Sequence, residues 1–404
     1  MKKTVTADEA RDILLSLSVQ RETETLSLRA ARGRVLAENV TASVPMPPFD
    51  RSPFDGYAVR WEDTANAAQS LPAVLRIVEE LPAGTAPTET VGAGMAAKIL
   101  TGAPIPAGAD SVIKFEETER DGGTVRIFAP LKPCQNVIYR GEELEQGAVL
   151  LEQGALLAAP ELGMLAAQGR ERCAVYKRPT AALFTTGSEL TPPGVPLEPG
   201  KIYDSNNAML AAMLEEAGFD CLDLGAVEDD AERIAARLEQ ALEQADIVIT
   251  TGGASVGDYD FAHAAVERVG AEVLFRKISM KPGSCVVAAV KGNKHILSLS
   301  GNPGAAAVCL LRVAMPYLKR QCGRCDVLPE EIVLPLKEAV RKASPVTRLL
   351  RGRLEITDGR AVFAENPRQG NGMIASLRGF ELLGEIPAGS PPLEAGTLIK
   401  AYRF

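Results

Sequence analysis

Between residues 181 and 321 short, uninterrupted apolar runs alternate with longer segments of helical periodicity, and no other feature limits the possible folds as much. Residues 181–186 are apolar and end in Thr-Gly; a helix over 206–218 carries Met209, Leu210, Met213 and Leu214, with Gly218 as its stop. A strand-like run at 219–227, a helix over 231–245 and a buried strand at 246–251 follow. The pattern then predicts a helix from about 260 to 269, strands at 273–278, 285–290 and 296–299, and one long helix over 302–321. Strands with no polar alternation are buried on both faces, so the expected structure is a largely parallel sheet covered by helices.

The flanking sequence has a different texture. An amphipathic helix is expected over 6–17, with Thr6 or Asp8 as its cap. Pro45-Met46-Pro47-Pro48-Phe49-Asp50 is an extended connector, because each proline disfavours helix in the residue before it. Short β-like runs separated by turns fill 56–137 and return from 328 to the end. The reading is a multidomain α/β chain of four units: a discontinuous N-terminal domain (1–45 and 138–178), an inserted β-rich domain (46–137), an α/β sheet domain (179–326) and a C-terminal β-barrel-like domain (327–404).

Composition excludes several partners. With 44 basic and 52 acidic residues the net charge is −8, so no general positive field attracts nucleic acid or anionic lipid, and 5% aromatic content leaves few stacking platforms. No apolar run is long enough to span a membrane, the first ten residues lack a secretory core, and seven scattered cysteines suit a reducing compartment. A cytoplasmic protein is expected. Two histidines in 404 residues leave little for zinc or histidine-based catalysis, and Cys322-Gly323-Arg324-Cys325 has no second ligand pair.

In an open α/β sheet, ligands bind beyond the carboxyl ends of the strands. Here those loops read Thr185-Thr186-Gly187-Ser188-Glu189, Glu228-Asp229-Asp230 and Thr250-Thr251-Gly252-Gly253-Ala254-Ser255-Val256-Gly257-Asp258-Tyr259-Asp260. Small residues let backbone N–H groups approach an anion, while carboxylates at the same rim require a divalent cation, Mg²⁺ above all, between themselves and phosphate. Simple turns, with Asp229 as a helix cap, are the plainer reading of each loop alone. Gly253-Ala254-Ser255-Val256-Gly257 also matches a nucleophile elbow, which keeps a serine hydrolase using Ser255 as an alternative, although only His295 is available as its base, because His263 lies on the immediately following helix. Lys277 and Lys281-Pro282-Gly283 supply local positive charge.

Taken together and in order, Phe49-Asp50, Asp55-Gly56-Tyr57-Ala58, Thr101-Gly102-Ala103-Pro104-Ile105-Pro106, Thr186-Gly187-Ser188-Glu189-Leu190, Asp204-Ser205-Asn206, Thr251-Gly252-Gly253 followed by Ser255-Val256-Gly257 and Asp260, Lys281-Pro282-Gly283 and Gly301-Asn302-Pro303-Gly304 resemble the MoeA family of molybdopterin molybdenumtransferases. The likeness runs end to end. It implies an elongated four-domain subunit, a molybdopterin-binding α/β domain, and a homodimer in which the β-rich insert of one subunit completes the site of the other. It implies a reaction of adenylylated molybdopterin with molybdate, using Mg²⁺ and releasing AMP.

Carried over by motif, the functional acids and threonine fall on Asp55, Thr101, Glu189, Asp229 and Asp260. The resemblance assigns Glu189, Asp229 and Asp260 to the cation, and Lys277 and Lys281 to anion binding. Gly187, Ser188, Gly252, Gly253, Ser255, Ser300 and Pro303 would contact substrate. Departures from the family pattern are Ser300 for proline, Asn371 for serine, Lys98 for arginine, and Arg51-Ser52-Pro53-Phe54 before Asp55. A non-catalytic pterin-binding scaffold is the remaining alternative.

Overall fold

The computed structural model describes residues 4–253 and 261–404. The chain forms two compact units: Met1–Glu38 with Gln153–Leu162 and Glu171–Phe404, and Asn39–Glu152 with Gly163–Arg170.

The larger unit is built on a six-stranded sheet. Its elements are β1 (Thr180–Thr186), α1 (Ser205–Ala217), β2 (Asp220–Val227), α2 (Ala231–Gln244), β3 (Ile247–Thr251), α3 (Phe261–Arg268), β4 (Glu272–Lys277), β5 (Met280–Lys281), β6 (Cys285–Lys291) and β7 (Lys294–Leu299). The strand order is β2-β1-β3-β7-β6-β4. The first four strands are mutually parallel, and β6 runs antiparallel to both β7 and β4. The apolar runs predicted from sequence are these strands. Ala181, Leu183, Ile247 and Ile249 face one core, while Ala182, Phe184 and Val248 face the other, all with no exposure. Each large side chain buried this way is worth roughly 1.5–3 kcal/mol.

Local signals set the helix ends. Asp204 caps α1 by accepting from the amide of Asn207, and Gly218 closes it at φ 107°. Thr6 and Glu9 form a reciprocal capping box at the start of the helix Ala7–Leu15. The expected long helix is interrupted. It runs as α-helix over Pro303–Cys309, widens to a π-helix over Leu310–Ala314, and resumes over Met315–Gln321. Pro316 explains the break, since it has no N–H to donate and its ring crowds the carbonyl four residues back.

Beyond Asp326 the chain adds β8 (Glu330–Pro335), β9 (Thr347–Thr357), β10 (Arg360–Glu365), β11 (Leu382–Ile386) and β12 (Leu398–Arg403). They pair in the order β9-β11-β12-β8, with β10 on β9. A parallel bridge from Leu336 to Phe363 brings the far edges together around a core that includes Leu350, Phe363, Leu382 and Ile399. Strand β5 joins the outer side of β9.

The smaller unit has a six-stranded sheet of its own. Its order is Ser111–Lys114, Gly56–Val59, Met95–Ile99, Ala73–Leu81, Thr124–Ile127 and Thr118–Asp121, with apolar clusters on both faces. The Gln168 side chain ties its ends together: Oε1 accepts from the amides of Ser43 and Val44, and Nε2 donates to the Val44 carbonyl. Among the described residues no helix is long and apolar enough to cross a membrane.

Candidate functional site at the carboxyl edge of the sheet

The chain leaves β1 for β2 on one side and then returns to place β3 on the other, so the topological reversal lies between the ends of β1 and β3. Register sets what gathers there. Thr186 stands beside Val227, Thr185 beside Thr251, Thr251 beside Leu299, and Lys277 beside Cys285. The loops carrying Gly187, Ser188 and Glu189, then Asp229, Gly252 and Gly253, and Ser300 and Pro303, therefore leave one edge. The β4–β6 connection, which holds Lys281, starts from that edge as well.

The strands end in small buried polar residues, which keep the rim rigid. Thr185 Oγ1 donates to Asp204 at 2.5 Å. Asn206 Nδ2 donates to Thr251 Oγ1 at 2.8 Å and to the Gly301 carbonyl at 2.7 Å, and Thr251 Oγ1 donates to the Ser300 carbonyl at 3.0 Å. Two buried atoms in this network, Thr186 Oγ1 and Asn206 Oδ1, have no partner among the described residues. Gly252, at φ 97°, packs so closely that a Cβ would overlap the Thr186 carbonyl. Gly187 plays a similar part, because a Cβ there would stand 2.7 Å from Glu189 Oε2. Glycine at 187 is what lets the Glu189 carboxylate lie across the loop. Lys201 Nζ donates to the Ser188 carbonyl.

Asp229 is not a helix cap. Asp230 caps α2, its Oδ1 accepting from the amides of Glu232 and Arg233 at 3.0 and 2.9 Å. The plainer reading of Asp229 is thereby corrected; Asp229 is exposed and stands two residues beyond Val227, whose carbonyl accepts from the Gly187 amide at 3.0 Å. Asp260 and Ser255 lie outside the described residues. His295 is the second residue of β7, at the opposite edge of the sheet, where it is buried with Nδ1 2.7 Å from Tyr317 Oη. Burial holds its pKa below the usual imidazole range. It offers no base to a nucleophile at the carboxyl edge.

Asp55 and Thr101 belong to the smaller unit. The Thr101 amide and hydroxyl both donate to Asp55 Oδ1, at 2.7 and 2.8 Å, and these two bonds hold the carboxyl below its ordinary value. Both residues are exposed.

A feature that the sequence did not reveal lies at the cationic end of the edge. Lys281 in β5 stands in register with Arg348 in β9. Together with Lys342 they line a cavity of about 250 Å³ that also includes Pro282, Gln369 and Asn371 but no carboxylate. Nearby Arg351 is fully buried. Its Nη2 donates to the Gly370 carbonyl at 3.2 Å, and its Nε and Nη1 have no partner among the described residues. Gly304 makes room for it, since a Cβ there would collide with Nη1.

The donor chemistry bears on a divalent cation. Glu189 and Asp229 present hard carboxylate oxygens from neighbouring strand ends, which suits Mg²⁺. Among the described residues no three His, Cys, Asp or Glu side chains cluster closely enough to cage a metal. Two such carboxylates fit a cation that also takes oxygens of water and substrate phosphate as ligands.

The chain is similar to known proteins along most of its length. Residues 5–169 match the model of the MoeA N-terminal region (domain I and II), 182–320 that of a probable molybdopterin binding domain, and 333–404 that of the MoeA C-terminal region (domain IV). A molybdopterin molybdenumtransferase of Staphylococcus aureus is 34% identical over 372 residues, covering 92% of this chain and 89% of that protein. One from Staphylococcus epidermidis is 30% identical over 395 residues, covering 98% and 94%. The crystal structure of a molybdopterin biosynthesis moeA protein from Pyrococcus horikoshii superposes with a TM-score of 0.85 at 30% identity, over the full length of both chains. With family models spanning most of its length and relatives similar from end to end, the chain belongs to the MoeA family.

Proposed function

We propose that the protein is a molybdopterin molybdenumtransferase that inserts molybdenum from molybdate into adenylylated molybdopterin and releases AMP. The supporting observation is the division of one sheet edge into an acidic end and a cationic end. Glu189 and Asp229 follow β1 and β2, whereas Lys277 ends β4 and Lys281 faces Arg348. Four strand spacings separate β1 from β4, roughly 20 Å at about 4.8 Å each. An elongated, doubly anionic substrate can lie along that edge, with its phosphates at one end and the incoming oxyanion at the other.

In this reading Glu189, Asp229 and Asp260 hold Mg²⁺, which when bound neutralises phosphate charge as the AMP half departs. Gly187, Ser188, Gly252, Gly253 and Ser255 bring backbone N–H groups and hydroxyls to the pterin and phosphate. Lys277 and Lys281 orient the oxyanion, and Ser300 and Pro303 contact substrate. The functional form is a homodimer, with Asp55 and Thr101 of one copy serving the edge of the other.

The test is AMP release from adenylylated molybdopterin by purified protein with Mg²⁺, with and without molybdate. Molybdate-stimulated release, with molybdenum retained on the pterin, is the expected result. Binding of the pterin with no molybdate-dependent release would point to the scaffold reading instead.

A further inference from the structure

The residues preceding Asp55 form a built feature that none of the assigned roles uses. Phe54 remains 36% exposed, and the Lys114 ammonium stands 4.2 Å from its ring centroid. The backbone that presents the ring is held firmly. Buried Ser52 accepts from the Phe54 amide at 3.2 Å and donates back to the Phe54 carbonyl, so the turn closes on itself. The Ser52 amide donates to Ala103 at 3.0 Å, and its carbonyl accepts from Gly102 at 2.8 Å, which ties the turn to the loop carrying Thr101. Lys114 is fixed from the other side: it stands in register with Gly56, and the next residue, Phe115, donates its amide to the Asp55 carbonyl at 3.2 Å.

The result is a compact constellation. An exposed ring, a cation with no salt bridge among the described residues and a carboxylate are held on three tied segments. Asp55 Oδ1 is already engaged by both Thr101 donors, so Oδ2 is left to accept from one further N–H. An exposed aromatic face provides stacking area for a flat ring, an ammonium beside it favours phosphate, and a single available carboxylate oxygen accepts from a ring amino group.

We infer that Phe54 and Lys114, beside Asp55, form a stacking platform for a planar, amino-bearing nitrogen heterocycle carrying a phosphate. This rests on the function proposed above, whose substrate contains two such rings: the adenine of the AMP half and the pterin. The platform belongs to the substrate-binding surface and performs no chemical step.

The experiment measures binding of two probes, AMP and neopterin monophosphate, by calorimetry on the full-length protein in Mg²⁺. The variants are Phe54→Leu, Phe54→Trp and Lys114→Gln, with thermal melts and oligomeric state recorded for each. Phe54→Leu should weaken one probe about tenfold, Phe54→Trp should stay within about twofold of wild type, and Lys114→Gln should weaken the same probe several-fold with a shallower salt dependence. The probe that responds identifies the ring. Unchanged affinity for both probes in Phe54→Leu, with wild-type binding intact, overturns the platform and leaves the proposed function standing. Loss of dimer without loss of probe binding also overturns it, by making Phe54 a contact between copies. A wild-type protein that binds neither probe, and does not release AMP from the full substrate, overturns both readings together.

Discussion

Lys281 and Arg348 occupy directly opposed positions in the short parallel pairing of β5 with β9, two cations side by side where the strands meet. Like charges facing each other across strands destabilise, by an amount comparable to the roughly 0.2–1 kcal/mol that a favourable pair contributes. Glu365 interacts electrostatically with Arg348, but no carboxylate lines the cavity the two cations share with Lys342, so an anion there would add neutralising charge. Arg348→Gln should therefore raise the melting temperature slightly in the absence of molybdate and raise the KM for molybdate several-fold. A lower melting temperature with unchanged KM would show that the pairing is structural only.

Gly252 tests the geometry of the rim from the backbone side. Its φ of 97° lies in a region that L residues rarely adopt, and an added Cβ would overlap the Thr186 carbonyl. Gly252→Ala should cost about 1–3 kcal/mol of stability and displace the backbone at Gly252 and Gly253. Chemical denaturation measures the first effect. The second should appear as a loss of at least tenfold in kcat/KM, and an alanine variant with wild-type stability would contradict the packing described.

Much of this arrangement could be read in the sequence, and the exceptions have physical causes. The sheet was legible because Ala181 to Phe184 and Ile247 to Ile249 are buried on both faces and so carry no polar residue. The rim was legible because close approach to Thr186 demands glycine at 252. Arg348 was not, because its role comes from pairing with a residue 67 positions earlier, and nothing local encodes that register. The π-helix over Leu310–Ala314 escaped as well, since apolar periodicity runs straight through the segment while Pro316 removes a donor that periodicity does not count. Asp229 and Asp230 are indistinguishable in composition, and only the geometry at the start of α2 separates cap from rim.

That separation gives a paired prediction. Asp230→Ala removes the side chain that satisfies the amides of Glu232 and Arg233, and should cost about 1 kcal/mol of stability with modest change in turnover. Asp229→Asn should leave the melting temperature within about a degree and reduce AMP release by tenfold or more. Denaturation curves and single-turnover assays on the two variants decide it. The reverse pattern would return Asp229 to the role of cap.

Asp55 sets the sign of an acid-side effect. The backbone bond from Thr101, followed by the one from its hydroxyl, lowers the folded-state pKa below the ordinary 3.8. A depressed carboxyl contributes stability that is present above its unfolded pKa and disappears as pH falls through the folded value. Thr101→Val removes the hydroxyl but keeps the amide, so the Asp55 pKa should rise part of the way back toward 3.8. The onset of acid loss should move to higher pH by less than the whole depression. A carboxyl-carbon NMR titration of Asp55 in wild type and Thr101→Val follows this directly, and coincident titration curves would show that the hydroxyl contributes nothing to holding the charge. If the ionised carboxylate also serves substrate binding, the acid limb of kcat/KM should shift in the same direction, whereas Thr101→Ser, which retains both donors, should leave it in place.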